Sequence, residues 1–344
     1  MNKPESLVEY GAPIDPQTMV TPPDVTELEL EPGHPGLGDA EYVRRRKELF
    51  ALCRKHRLEE LGPPIIDYTP EETRIWREVS PKLDELHGKH ASAIYLAGKR
   101  ELAITQGEIP QLRHLSDRLR QTTDLHLVPA EGALPYRTFY QYIGRRGFPV
   151  TQFLRHGSHP EFTPEPDMIH DCLGHVPAQM NRDYAELLVL IGKAVSATTK
   201  GEQVLALKRF SWFSIEFGLI EEAGQTKVFG AGILSSTGEI PYSLFSPEVT
   251  RQPFVTDVVI NTDYDPSRMQ DRLFVAPSLP FLRRELEGLV RRFGIFPDGG
   301  AGPQPTQSPV PIEEIERRRK ERSGKPLAQI LDELGQNGTD VEKA

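Results

Sequence analysis

Apolar residues recur at intervals of three and four through most of the chain between residues 39 and 296, broken by proline, glycine and acid-rich caps. In DAEYVRRRKELFALCRKHRL (39–58), Tyr42, Leu49, Phe50, Cys53 and Leu58 fall at helical intervals, and Asp39 stands where it can cap the first turn. TPEETRIWREVSPKLDELHGKHA (69–91) opens on a capping threonine, with Pro70 at the first helical position and acids in the first turn; Pro81 is either a break or the start of a second helix. The same periodicity predicts helices over 92–104, 110–123, 136–146, 181–198, 202–222 and 278–293. Strand-like runs are fewer and shorter, at 126–129, 151–155, 227–232, 254–260 and 272–277. The pattern predicts a mostly α fold with a minor β component.

The flanks read differently. Residues 1–38 are rich in proline and acids without a sustained period and are expected to form an extended arm ahead of a domain over 39–296. Residues 297–311 (PDGGAGPQPTQSPVP) read as a linker, and 312–344 as a helical tail, either an appended arm or a self-association element. The 344 residues are 38% hydrophobic, enough for a sizeable core, and a net charge of -9 speaks against a nucleic-acid partner. Two cysteines imply no disulfide framework, and no apolar run is long enough to span a membrane. With an N-terminus that lacks a signal-like apolar run, the expected location is cytoplasmic. No internal repeat, phosphate-cradling glycine motif or nucleophile elbow is present.

The chemistry concentrates at HDCLGHVP (170–177). On a regular helix, five steps set His170 and His175 about 140° apart, too far to share one ion comfortably. Either the helix ends there, as Gly174 and Pro177 favour, or a π-type turn brings residues i and i+5 onto one face. Taken alone, the pair reads as two hydrogen-bonded polar groups. Glu216 raises the stakes, because it sits in FSWFSIEFGLI among apolar neighbours, where an unpartnered carboxylate costs several kcal/mol or takes up a proton. A cation would relieve it. Two histidines and one carboxylate with open positions suit non-haem Fe(II) and O2 chemistry; zinc with the same three ligands is the rival.

Several stretches together resemble the tetrahydropterin-dependent aromatic amino acid hydroxylases: HPGLGDAEYVRRRKELFA (34–51), IPQL (109–112), TQFLRHGS (151–158), TPEPDMIHDCLGHVP (163–177), WFSIEFGL (212–219) and FGAGILSSTGE (229–239). They stand in the family's order over roughly residues 34 to 290. The resemblance implies the family's catalytic-domain fold, a helical basket around a non-haem iron, with His170, His175 and Glu216 holding Fe(II) and a tetrahydropterin such as tetrahydrobiopterin reducing O2. It implies Arg155 as a clamp on the substrate carboxylate, and Thr163, Pro164, Trp212, Phe217, Gly232 and Ser235 around the amino acid. The pterin is expected over Phe139, beside Gly132, Ala133, Leu134 and Asp171, with Glu239 and Cys172 supporting the site without ligating the metal. On the residues alone, Trp212, Phe217 and Phe139 would read as core, and Cys172 as a small buried hydrophobe.

The order Trp212–Phe213, HGS at 156–158 and STGE at 236–239 look like the phenylalanine branch, so L-phenylalanine is the expected substrate and tryptophan the alternative. A zinc hydrolase built on the same triad, with Asp171 or Glu239 as base, is the third reading. The family commonly has Glu at 171, Leu at 172, Tyr at 211 and Leu at 133, where this chain has Asp171, Cys172, Ser211 and Ala133. These departures keep meta hydroxylation, giving meta-tyrosine, beside para hydroxylation, giving tyrosine. Only a short arm precedes HPG, so activation through an N-terminal regulatory domain is not expected. The segment 311–335 does not clearly match the family's tetramerisation helix, and a monomer or weak homodimer is expected.

Overall fold

The computed structural model describes residues 28, 30–161, 163, 165–266 and 268–295. The expected linker and tail, and most of the expected arm, lie outside them. The last part of that arm is not extended: residues 32–38 form turns, in which the His34 ring stacks on Tyr42 at 5.8 Å and pairs with Glu165 at 3.5 Å.

Helix α1 (Ala40–Leu58) starts where Asp39 Oδ1 accepts the backbone N–H groups of Glu41 and Tyr42. Helix α2 (Pro70–His90) opens on a full capping box between Thr69 and Glu72 and runs unbroken through Pro81. Arg77, whose carbonyl loses its helical partner to that proline, lies on the exposed side, so the defect does not end the helix. Helices α3 (Ala93–Glu101) and α4 (Leu112–Thr123) follow. Strand β1 (His126–Pro129), helix α5 (Tyr136–Gly144) and strand β2 (Gly147–Val150) make a small β-α-β unit in which β1 and β2 pair in parallel from His126↔Gly147 to Pro129↔Val150.

Two π-helical turns come next in the half of the chain that builds the site. The first, π1, spans Ile169–His175 and passes into a 3-10 turn (Pro177–Met180) and helix α6 (Arg182–Ala197). The predicted helix over 202–222 is three elements: α7 (Gly201–Ser211), the second turn π2 (Trp212–Glu216) and strand β3 (Leu219–Glu222). Strand β4 (Gln225–Val228), α8 (Ala231–Leu234), α9 (Glu239–Phe245), β5 (Thr250–Pro253), α10 (Thr256–Val259), β6 (Arg272–Ala276) and α11 (Leu279–Arg292) complete the described chain.

The second sheet has the order β4-β3-β6-β5, antiparallel between β3 and β4 and parallel elsewhere. The two sheets together explain three misplaced strands. TRQP at β5 has no strand pattern, yet it pairs with β6 along its length, and the β-rich FVTDVVI after it turns into α10. KVFGAG stops pairing at Val228. Residues 151–155 lie just beyond the last β1–β2 pair, so among the described residues they run on without a partner strand and place side chains in the site. Trp76, Tyr95, Tyr184, Phe210, Phe213 and Phe229 are fully buried in one continuous core. Among the described residues no helix is long and apolar enough to cross a membrane.

Gln179 is fully buried, and among the described residues neither amide atom has a hydrogen-bond partner. Burying an unpaired amide costs roughly 1 to 3 kcal/mol. Gln179→Met, close in shape and apolar, is therefore expected to raise the midpoint of urea unfolding; a lowered midpoint would show that the amide is satisfied in solution.

Candidate metal centre and active-site cavity

The two alternatives for HDCLGHVP are decided by backbone geometry. In π1 the Val176 N–H donates to the Asp171 carbonyl, five residues back, so the helix widens instead of ending. His170 and His175 then share a face: their Nε2 atoms are 3.2 Å apart. Glu216, the last residue of π2, brings its Oε2 to 3.3 Å from His175 Nε2 and 3.8 Å from His170 Nε2. Among the described residues these three are the one group of His, Cys, Asp and Glu side chains whose ligand atoms cluster tightly enough for a metal ion, all within 4.8 Å.

The electrostatics fit a cation site. Burial opposes charge on Glu216, but His175 and His170 outweigh it and hold the carboxyl below its ordinary range. Burial and then His175 push His170 down to about 4, while Glu216 more than offsets burial at His175 and raises it. Ser235 Oγ lies 3.0 Å from His170 Nδ1 and fixes that ring, whereas the buried His175 Nδ1 has no hydrogen-bond partner among the described residues. Gly174 lets α8 approach, since a Cβ there would meet the Ala231 carbonyl at 2.7 Å.

Around the triad the other expected residues are distributed unevenly. Asp171 lies on the cavity wall, and its Oδ2 accepts the N–H and the Oγ–H of Thr151, both at 2.7 Å; burial still pushes its carboxyl up to about 6. Trp212 lies on the same wall, with its ring 4.5 Å from Phe217 and stacked at 4.0 Å on Tyr264. Gly232 has no Cβ that would strike the Phe217 ring at 2.6 Å. Phe139 and Leu134 line the cavity, whereas Gly132 and Ala133 sit in the loop before them. That loop leaves Glu131, which is buried in a pair with Arg57 at 2.9 Å.

Arg155 is buried and forked onto Asp167: its Nε donates to Oδ2 at 2.9 Å, its Nη2 to Oδ1 at 2.8 Å, and its Nη1 to the Pro160 carbonyl at 3.2 Å. Thr163 donates its hydroxyl to the Glu165 carbonyl, and Pro164 lies outside the described residues. Cys172 is fully buried, burial pushes its thiol up, and it does not line the cavity. Glu239 opens α9, where burial pushes its carboxyl up to about 7.

The sequence model for biopterin-dependent aromatic amino acid hydroxylases matches residues 20–294. The chain belongs to this family. The chain is 39% identical over 214 residues to a chloroplastic phenylalanine 4-monooxygenase of Physcomitrium patens, covering 62% of this chain and 54% of that one. To a tyrosine 3-monooxygenase of Drosophila melanogaster it is 36% identical over 258 residues, covering 73% and 44%. It thus spans about half the length of these relatives. A crystal structure of Chromobacterium violaceum phenylalanine hydroxylase with bound iron(III) and oxidised cofactor 7,8-dihydrobiopterin matches with a TM-score of 0.63 and 27% identity, over 71% of this chain and 92% of that one.

Five members of the cavity wall or its support carry no mark in the order of the residues. Tyr136, Tyr140, Lys208 and Tyr264 line the wall; the one available signal is YRTFYQY, which carries three tyrosines within one short helix. Tyr140 bonds to Ser211, the position where the resemblance leads one to expect a tyrosine. Asp167 gives no local signal in the sequence, yet it anchors Arg155.

Proposed function

We propose that this protein is an iron- and tetrahydropterin-dependent monooxygenase that hydroxylates the ring of L-phenylalanine with O2. The observation that carries the reading is the convergence of His170, His175 and Glu216, produced by two π-turns from distant segments. Two imidazole nitrogens and one carboxylate oxygen form a donor set that fits Fe(II) and leaves positions open. Ferrous iron and a reduced pterin, when bound, supply the reductive activation of O2 that ring hydroxylation requires.

The chain's own groups do the rest. Arg155, held flat by Asp167, keeps guanidinium N–H groups over for the carboxylate of the amino acid. Trp212, Phe217 and the bare backbone of Gly232 make an apolar wall for its ring, and the family resemblance adds Thr163, Pro164 and Ser235 to the residues that meet the amino acid. Phe139 offers a face to the pterin beside Gly132, Ala133 and Leu134. Asp171, bonded to Thr151, fixes the approach from that side, and burial raises Glu239 to about 7, so that it takes up a proton as the pH falls through neutrality. Cys172 fills volume behind the ligands.

The relatives named as phenylalanine 4-monooxygenases support the para position, while Asp171 and Cys172 are the reason to test it. Protein loaded with Fe(II) and given O2, tetrahydrobiopterin and L-phenylalanine is expected to yield a hydroxylated phenylalanine, separated chromatographically against para- and meta-tyrosine. Tryptophan and tyrosine compete in the same assay. Unchanged phenylalanine, or stoichiometric zinc with hydrolase activity, would overturn the proposal. We place the protein in the cytoplasm, as a monomer or weak homodimer, on its two unpaired, buried cysteines and its tail sequence; fractionation and sedimentation check these.

A further inference from the structure

The proposed function leaves unused a buried polar network that meets the first π-turn without lining the cavity. The Leu173 carbonyl in π1 would, at α-helical spacing, accept from residue 177, but Pro177 has no N–H. Tyr95, fully buried in α3, donates its hydroxyl to that carbonyl at 2.5 Å. Helix α3 can reach it because Gly98 lies against the Pro177 carbonyl, where a Cβ would sit 1.8 Å away.

Behind Tyr95 stands His87, almost completely buried at the end of α2. Its Nε2 is 2.7 Å from the Leu234 carbonyl, which can only accept, so the ring proton sits on Nε2 and Nδ1 is the acceptor. A phenol has one proton, and Tyr95 gives it to Leu173. The donor to His87 Nδ1 is therefore Lys99 Nζ, at 2.9 Å, which is itself paired with Asp84. Burial, reinforced by Lys99, pushes His87 down to about 3, which keeps this tautomer neutral. Leu234 ends α8, and the next residue, Ser235, is the one whose hydroxyl meets His170 Nδ1.

We propose that His87, Tyr95 and Lys99 are positioning residues for the metal centre: one arm, through Leu173, fixes the π-turn that sets both histidines, and the other, through Leu234 and Ser235, fixes the aim of His170. The inference rests on the metal site proposed above. Each arm ends on backbone, so its effect is on ligand geometry and not on the reacting atoms.

The test is Co(II) titration of metal-free full-length protein, read by calorimetry and by the ligand-field bands of bound Co(II), together with tetrahydropterin consumed per hydroxylated product in the iron-loaded enzyme. Tyr95→Phe and His87→Leu are expected to weaken Co(II) binding on the order of tenfold, as loss of outer partners of metal ligands does, to shift the bands, and to consume more pterin per product. His87→Gln is expected to recover most of this, because an amide can donate to Leu234 and accept from Lys99. Val290→Ala, which opens a small cavity in α11, serves as a control that lowers stability without touching the network. Parent-like affinity, bands and coupling in Tyr95→Phe and His87→Leu, or losses no larger than those of Val290→Ala at equal stability, would reduce the network to core packing. A parent protein that binds no Co(II) would overturn the metal site itself, and the network's role with it.

Discussion

Glu216→Ala is expected to bind no stoichiometric Fe(II) and to leave phenylalanine unconverted where the parent protein hydroxylates it. Glu216 is the anionic member of the cluster, and His175 and His170 lie 3.3 and 3.8 Å from its Oε2. Without it, two imidazoles 3.2 Å apart face a divalent ion with no compensating charge. Loss of an outer partner to a metal ligand already costs about 10- to 100-fold in affinity, so loss of the ligand itself costs at least that much. Metal analysis after dialysis, beside product chromatography, checks both halves of the expectation. His170→Ala and His175→Ala are expected to behave alike, and full turnover in any of the three would remove that residue from the ligand set.

The second large effect is at Arg155. Arg155→Ala is expected to lose roughly 2 to 4 kcal/mol of transition-state stabilisation, about 30- to 900-fold in kcat/KM, because a buried charge-assisted pair with the substrate carboxylate is left half made. The fork onto Asp167 adds a second expectation. Asp167 is fully buried, and Arg155 leads the groups that, against burial, hold its carboxyl below the ordinary range, so Arg155→Ala also strands a carboxylate in the core. Stability in urea should fall as well as activity. Arg155→Lys keeps the charge but cannot reproduce the flat two-pronged contact; most of the stability should return while KM for phenylalanine stays high. Parent-like kcat/KM in Arg155→Ala would remove the clamp, and parent-like stability would show that Asp167 finds another partner.

Much of the α framework is legible residue by residue. Helices α1, α2, α4, α6 and α11 follow from apolar spacing and from caps such as Asp39, Thr69 and Ser278, which act within one turn of chain. Strands are less legible for a physical reason: TRQP pairs because β6 lies beside it, and TQFLR has no partner strand among the described residues because β1 has ended. The carboxylate of Glu216 could be suspected because eleven residues of FSWFSIEFGLI hold a charge with no local partner. The role of Asp167 could not, since its partner Arg155 is twelve residues away and nothing in the spacing points back to it. Tyr264 was invisible for the same reason: it reaches Trp212 from a loop after α10.

By itself, then, the amino-acid sequence determined the helices, the residue types of a two-histidine, one-carboxylate centre and the family resemblance, because these depend on local periodicity and on charge set among apolar neighbours. Only the tertiary structure decided that the chain widens at His170–His175 instead of ending there. The five-residue spacing fits either backbone, and the choice is made by contacts that no local pattern records: Tyr95 on the carbonyl that Pro177 leaves unbonded, Ala231 against Gly174, and Glu216 arriving at the end of a second π-turn.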